Sequence, residues 1–182
     1  MNVEVNYLHD PAELVLIAGV VEAVASFNRA SVPVIVITNQ AGVGRGYYTL
    51  DDYRAVNAKM AELFAAGGAH VDGWYCCPHA PWSDCPCRKP RPGMLIEAAR
   101  EHDLDLAGSV LVGDKESDLG AARAVGCRAA LVRTGHGRDE EARLMAAGPP
   151  TSAPFDRCFD SLAGAAPWVL EAVGGAAPVV SK

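Results

Sequence analysis

The chain has little positive charge to spare and no long apolar run. Its 16 lysines and arginines are outnumbered by 22 aspartates and glutamates, for a formal net charge of −6 over 182 residues, and no block of Lys or Arg compensates locally. A surface of that sign opposes nucleic acid and anionic membranes as partners, so phosphate binding must come from a few focused groups. No segment offers the roughly 18 uninterrupted apolar residues of a membrane span. The opening stretch MNVEVNYLHDP lacks both the basic and the apolar region of a secretory leader, and a cytoplasmic location is expected. Internal repeats and low-complexity blocks are absent. The glycines of AGVGRG (Gly42, Gly44, Gly46) match neither a dinucleotide nor a P-loop fingerprint and read as a flexible loop.

Half of the residues are hydrophobic, enough for the core of one domain. VPVIVITN (32–39), GWYCC (73–77), SVLVGD (109–114) and AALVRTG (129–135) are near-continuous apolar runs that suit parallel strands covered on both faces. Helical patterns separate them. In TLDDYRAVNAKMAELFAAGG, Thr49 can cap and Leu50, Tyr53, Val56, Met60, Leu63 and Phe64 recur at helical spacing. PGMLIEAAREHDL has Pro92 at a favourable first-turn position, ESDLGAARAVG ends in the natural C-cap Gly126, and GVVEAVASFNRA precedes the first long strand. The alternation predicts an α/β fold, a three-layer open parallel sheet with helices on both faces, over residues 1–173. AAGPPTSAP reads as a surface connection and residues 174–182 as a flexible tail. In such sheets ligands bind at the carboxyl ends of the strands, so the polar residues after each strand are the candidates.

Six cysteines in a reducing compartment are expected to be ligands or small core residues rather than disulfides. Four fall in CCPHAPWSDCPC. Cys77, His79, Cys85 and Cys87 supply the thiolates and imidazole that tetrahedral zinc favours, and a closed set of four leaves no place for water, so the site is structural. The loop at 77–87 would be stapled by the metal, with Pro78 and Pro86 restricting it beforehand. Cys76 belongs to the strand; Cys127 and Cys158 read as small hydrophobes. Trp82 either touches a ligand or shields the metal. A nucleic-acid finger is opposed by the acidic surface and by the lack of a second ligand pair at finger spacing.

Three strand ends carry chemistry suited to a phosphoryl group. Thr38 and Asn39 offer a hydroxyl and an amide. Lys89, at the end of the zinc loop, brings a compact positive charge, and Arg88 a fork for a second phosphate or a sugar hydroxyl. Asp114 is a hard-oxygen ligand for Mg²⁺. Asp118 is either a second acid beside Lys89 or a cap on bare helix amides, the latter being the simpler reading.

VITNQAGVGRG, CPHAPWSDCPCRKPRPGML and VGDKESDLGAA, in this order, resemble the haloacid dehalogenase superfamily, in particular its zinc-containing D-glycero-D-manno-heptose 1,7-bisphosphate phosphatases and their histidinol-phosphate phosphatase relatives. The resemblance runs from about Asn2 to Leu170. It implies a Mg²⁺-dependent phosphomonoesterase in which Thr38 and Lys89 hold the transferring phosphate, Asp114 binds Mg²⁺, Asn39, Arg88 and Lys115 face the substrate, and the zinc loop presents Arg88 and Lys89. RKPRPGM favours the heptose substrate, with release of its C7 phosphate. Histidinol phosphate, or a non-catalytic zinc-stapled phosphosugar-binding protein, is the alternative. A monomer is expected. The family also begins with a strand ending in Asp-x-Asp-Gly-[Thr/Val], lying between the strands that end at Thr38 and Asp114. Its first aspartate attacks phosphorus and its second protonates the leaving oxygen. The 182-residue chain contains no such motif, so the true start is expected upstream of Met1 and the chain by itself is expected to be inactive.

Overall fold

Apolar runs become strands whose residues alternate between two cores. The computed structural model of the chain describes residues 1–3, 5–146 and 155–174. After a 3₁₀ turn at Pro11–Glu13, capped by the Asp10 carboxylate on the Ala12 amide (2.8 Å), come α1 (Val20–Arg29), β1 (Ile35–Asn39), α2 (Ala41–Gly44), α3 (Leu50–Ala66), β2 (Gly73–Cys77) and α4 (Gly93–His102). They are followed by β3 (Val110–Gly113), α5 (Glu116–Ala124), β4 (Arg128–Val132), α6 (Gly137–Ala146), β5 (Arg157–Phe159) and α7 (Leu162–Gly174). On one face Val110, Val112 and Val132 pack with α1, α3 and α7. On the other, Leu111, Ala129 and Leu131 pack with Leu119 and Ala122 of α5. Successive strand residues point to opposite faces, and this gives the expected three layers.

Local rules account for the helices. The Thr49 hydroxyl accepts from the Asp52 amide (3.1 Å) while the Asp52 carboxylate accepts from the Thr49 amide (2.7 Å), a reciprocal cap. From there α3 buries Tyr53, Val56, Met60 and Phe64 on one stripe. Pro92 stands one position earlier than expected, as the N-cap of α4. Gly126 follows α5 with φ of +75°, the left-handed conformation that glycine adopts without a Cβ penalty.

The strands form two parallel sheets: β1 with β2, registered from Ile35 opposite Gly73 to Asn39 opposite Cys77, and β3–β4–β5. β4, paired on both sides, is buried at Ala129–Val132, whereas all five residues of β1 are only half-buried. The alternation along β1 shows which way its free edge points. The Val34 carbonyl and the Gln40 amide bond the β2 side (each 2.8 Å, to the Asp72 amide and the Cys77 carbonyl). Odd-numbered residues, Ile37 among them, therefore direct their backbone groups to the other edge. β5, α6 and α7 are elements the sequence patterns did not predict. AGVGRG is no loose loop: α2 occupies most of it, with Gly42 buried. Residues 147–154 of the expected connection and 175–182 of the expected tail lie outside the described residues, and Gly174 closes α7. No helix among the described residues is long and apolar enough to cross a membrane.

Candidate active site and metal centre

Lys89 joins the two sheets. Its ammonium donates to the Ile37 carbonyl on the free edge of β1 (2.8 Å) and pairs with the Asp118 carboxylate in the first turn of α5 (2.6 Å). The two side chains are 11% and 8% exposed. One cation thus gathers the end of β1 and the loop that follows β3. Its backbone is fixed as firmly: Asn39 donates to the Lys89 carbonyl and accepts from the Lys89 amide, both at 3.1 Å. This doubly bonded amide clamps RKP to the strand end and leaves Asn39 one donor and one lone pair for anything else.

Asp118 performs both roles the sequence offered it. One carboxylate oxygen meets Lys89 and the other accepts from the Lys115 amide (3.1 Å) at the start of α5. Gly113 permits this, because a Cβ there would lie 2.3 Å from the Asp118 Cβ. Asp114 follows β3 directly. Its carboxylate accepts from the His136 amide (2.9 Å) in the loop after β4, and Gly135, at φ +57°, lets that loop approach: a Cβ would stand 2.3 Å from the Asp114 oxygen. Asp114 is half-buried and retains free lone pairs, a hard-oxygen donor suited to Mg²⁺.

Thr38 lies between Ile37 and Asn39. Its hydroxyl accepts from the Gln40 side chain (3.1 Å), whose carbonyl in turn bonds the Tyr48 hydroxyl. Neither Gln40 nor Tyr48 was singled out from sequence; the only signal was a polar residue directly after the strand end.

The four predicted metal ligands meet. Cys77 Sγ, His79 Nδ1, Cys85 Sγ and Cys87 Sγ all lie within 4.8 Å of one another. Cys77 is 3.6 Å from both Cys85 and His79, and His79 is 3.3 Å from Cys87. A tetrahedron with zinc–sulfur bonds of about 2.3 Å and zinc–nitrogen bonds of about 2.0 Å has edges of about 3.5 to 3.8 Å, so these spacings fit a single small ion. The loop is seated from two sides. A Cβ on Gly44 would come 2.3 Å from the Ala80 amide, and one on Gly93 would come 2.5 Å from the Pro86 carbonyl. Arg91 bonds the Cys85 carbonyl (2.7 Å) and the Asp84 carboxylate (2.5 Å). Trp82 is 73% exposed, with the Arg45 guanidinium 5.1 Å above its ring. Arg88 reaches the His79 carbonyl (3.4 Å), and Lys115 is exposed at the rim.

The remaining cysteines stand apart from this cluster. Burial pushes the Cys127 thiol up to about 11 and raises that of Cys76, which leaves both protonated and unreactive at neutral pH. Cys158 is half-buried, its thiol raised first by burial and then by its bond to Glu141.

A model of the HAD-hydrolase-like family matches residues 86–165. The D-glycero-beta-D-manno-heptose-1,7-bisphosphate 7-phosphatase of Pseudomonas putida is 42% identical over 150 residues, 82% of this chain and 84% of that protein. The D-glycero-D-manno-heptose-1,7-bisphosphate 7-phosphatase of Thermosynechococcus vestitus is 39% identical, covering 93% of this chain and 90% of its own. Among solved structures, the D,D-heptose 1,7-bisphosphate phosphatase from B. bronchiseptica, complexed with magnesium and phosphate, superposes with a TM-score of 0.84 at 37% identity, over 93% of this chain and 92% of that one.

Proposed function

The chain belongs to the haloacid-dehalogenase-like heptose bisphosphate phosphatases, and from that membership we propose that its site takes D-glycero-D-manno-heptose 1,7-bisphosphate and is built to release the C7 phosphate. The observation that carries this reading is Lys89, held between the edge of β1 and Asp118, where its ammonium and the Thr38 hydroxyl can share one phosphoryl group. Arg88, Lys115 and the remaining capacity of Asn39 face the rest of the sugar phosphate. Cys77, His79, Cys85 and Cys87 would hold structural Zn²⁺, which fixes the loop that delivers Arg88 and Lys89. Asp114 would hold Mg²⁺, which supplies charge neutralisation at the phosphoryl oxygens. The protein is proposed to be a cytoplasmic monomer.

The reaction divides into what these residues do and what they need. Thr38 and Lys89 orient the phosphoryl group and offset its charge as the leaving oxygen departs. In the resembled mechanism an aspartate carboxylate attacks phosphorus as the bond to the sugar oxygen breaks and that oxygen takes a proton from the second aspartate of the motif; water then hydrolyses the aspartyl phosphate. The resemblance places that aspartate on a strand between β1 and β3, and among the described residues β1 and β3 each have a free edge. Among the described residues neither Asp10 nor Asp118 takes its place: Asp10 caps a turn, and Asp118 is committed to Lys89 and the Lys115 amide. The 182-residue chain is therefore expected to bind phosphosugar without turning it over. The alternative is a zinc-stapled protein that binds the phosphosugar without turnover.

Phosphate release should be measured on heptose bisphosphate and histidinol phosphate with Mg²⁺, for the 182-residue chain and for a version extended by an apolar strand ending in Asp-x-Asp-Gly. Turnover confined to the extended version, faster on the heptose substrate, is expected. Turnover by the 182-residue chain would overturn the part given to the absent aspartate, and faster turnover of histidinol phosphate would overturn the substrate. Tight binding by both versions with turnover by neither would establish the binder.

A further inference from the structure

A phosphoryl oxygen at neutral pH mainly accepts hydrogen bonds, so a threonine that holds one must donate. A hydroxyl has only one proton, and any neighbour that accepts it disables the threonine. The surroundings of Thr38 bear on that choice. The Gln40 side-chain nitrogen is 3.1 Å from Thr38 Oγ and donates to it. This occupies a lone pair and leaves the threonine proton unspent. The amide holds that orientation because its carbonyl receives the Tyr48 hydroxyl. A phenol has a single proton, and that of Tyr48 is spent on Gln40.

Donors thus run in one direction: Tyr48 O–H to Gln40, Gln40 N–H to Thr38, Thr38 O–H outward. The relay is anchored by packing. Tyr48 is 7% exposed, and its ring lies so close over Gly42 that a Cβ there would be 2.0 Å from Cε1. The ring also stacks with His9, centroids 5.8 Å apart. Burial, first among the causes, raises the Tyr48 pKa, in keeping with a phenol that retains its proton.

We propose that Gln40 and Tyr48 are positioning residues that fix the Thr38 hydroxyl as a donor to the phosphoryl group. This rests on the reading of Thr38 as a phosphate ligand. The opposite amide orientation would have Thr38 donate to Gln40 and meet the ligand with lone pairs only.

The test is calorimetric titration of the 182-residue chain with inorganic phosphate and Mg²⁺, for wild type, Thr38→Ala, Gln40→Glu, Gln40→Met and Tyr48→Phe, each checked for an unchanged melting temperature. Gln40→Glu presents only acceptors to Thr38 at neutral pH and is expected to weaken binding about tenfold, from the loss of one hydrogen bond plus an unfavourable charge. Its deficit relative to wild type should shrink at acidic pH, where a protonated glutamate can donate again. Gln40→Met, which leaves Thr38 free to rotate, and Tyr48→Phe, which frees the amide to turn over, should each cost about threefold to fivefold. A wild type that fails to bind phosphate, or a Thr38→Ala that binds like wild type, overturns the phosphate-site reading itself. A Gln40→Glu equal to wild type beside a Thr38→Ala that has lost binding overturns the relay alone, as does a deficit that does not vary with pH.

Discussion

Replacing Asp118 by asparagine keeps the shape of the side chain and its bond to the Lys115 amide but removes the charge that faces Lys89. With the partners 11% and 8% exposed and 2.6 Å apart, water screens the pair weakly, and the relevant range is that for breaking a buried ion pair, about 3 to 5 kcal/mol. The single asparagine oxygen stays with the Lys115 amide, but the Ile37 carbonyl still accepts from the ammonium, so the lower end applies: about 3 kcal/mol. Lys89→Met strands the carboxylate instead and should cost about 3 kcal/mol by the same reasoning. The double variant leaves no uncompensated charge and should lie within about 1 kcal/mol of wild type, a coupling of about 5 kcal/mol. Urea unfolding at pH 7 reads this directly. With a slope of about 2 kcal/mol per molar, each single variant should lower the midpoint by roughly 1.5 M and the double variant by less than about 0.5 M. Additive single effects, with a coupling below about 0.5 kcal/mol, would refute the view of Lys89 as a desolvated link between the sheets.

Three other outcomes are expected. Cys85→Ser should reduce bound zinc, measured by elemental analysis, from one ion per chain to a small fraction and lower the melting temperature, since three ligands do not close the tetrahedron; undiminished zinc would place the ion elsewhere. Gly44→Ala should destabilise the chain by about 1 to 3 kcal/mol, the usual cost of overpacking, because its Cβ would meet the Ala80 amide at 2.3 Å; an unchanged unfolding midpoint would mean that α2 and the zinc loop do not pack. Finally, the Arg133 guanidinium, bonded to Glu141 at 2.6 and 2.7 Å, holds the Glu141 carboxyl below its ordinary value. A depressed folded value means stability that is present above the ordinary carboxylate range and lost as pH falls through the folded value. Glu141→Gln should therefore be less stable than wild type by about 1 kcal/mol at pH 7 and converge with it in acid below about pH 4; midpoints that stay parallel down to pH 3 would sink this assignment.

The strand ends were legible because their chemistry is local: a polar residue after an apolar run is visible in one dimension, and so is a closed set of zinc ligands. Residues defined by what folds back onto them were harder. Asp118 was offered as an acid beside Lys89 or as a cap, with the cap preferred, because the ion pair, which is also there, joins positions 29 residues apart. AGVGRG read as flexible because glycine permits motion, whereas at Gly42 and Gly44 its use is close approach to Tyr48 and to the zinc loop. β5 is only three residues long, α6 buries just Gly137, and α7 carries Pro167 inside, so none of them shows the periodicity on which sequence patterns depend. The single open sheet was expected from strand alternation alone, which does not reveal which strands are laddered.

The half-buried β1 has a kinetic consequence. Its even-numbered amides are bonded across to β2, while Ile35, Ile37 and Asn39 direct theirs to the free edge, so deuterium should enter the strand in alternation, odd positions first, and reach doubly flanked β4 last. Any extended segment that came to lie along that edge would leave its own footprint, a slowing of every second amide with the intervening ones untouched.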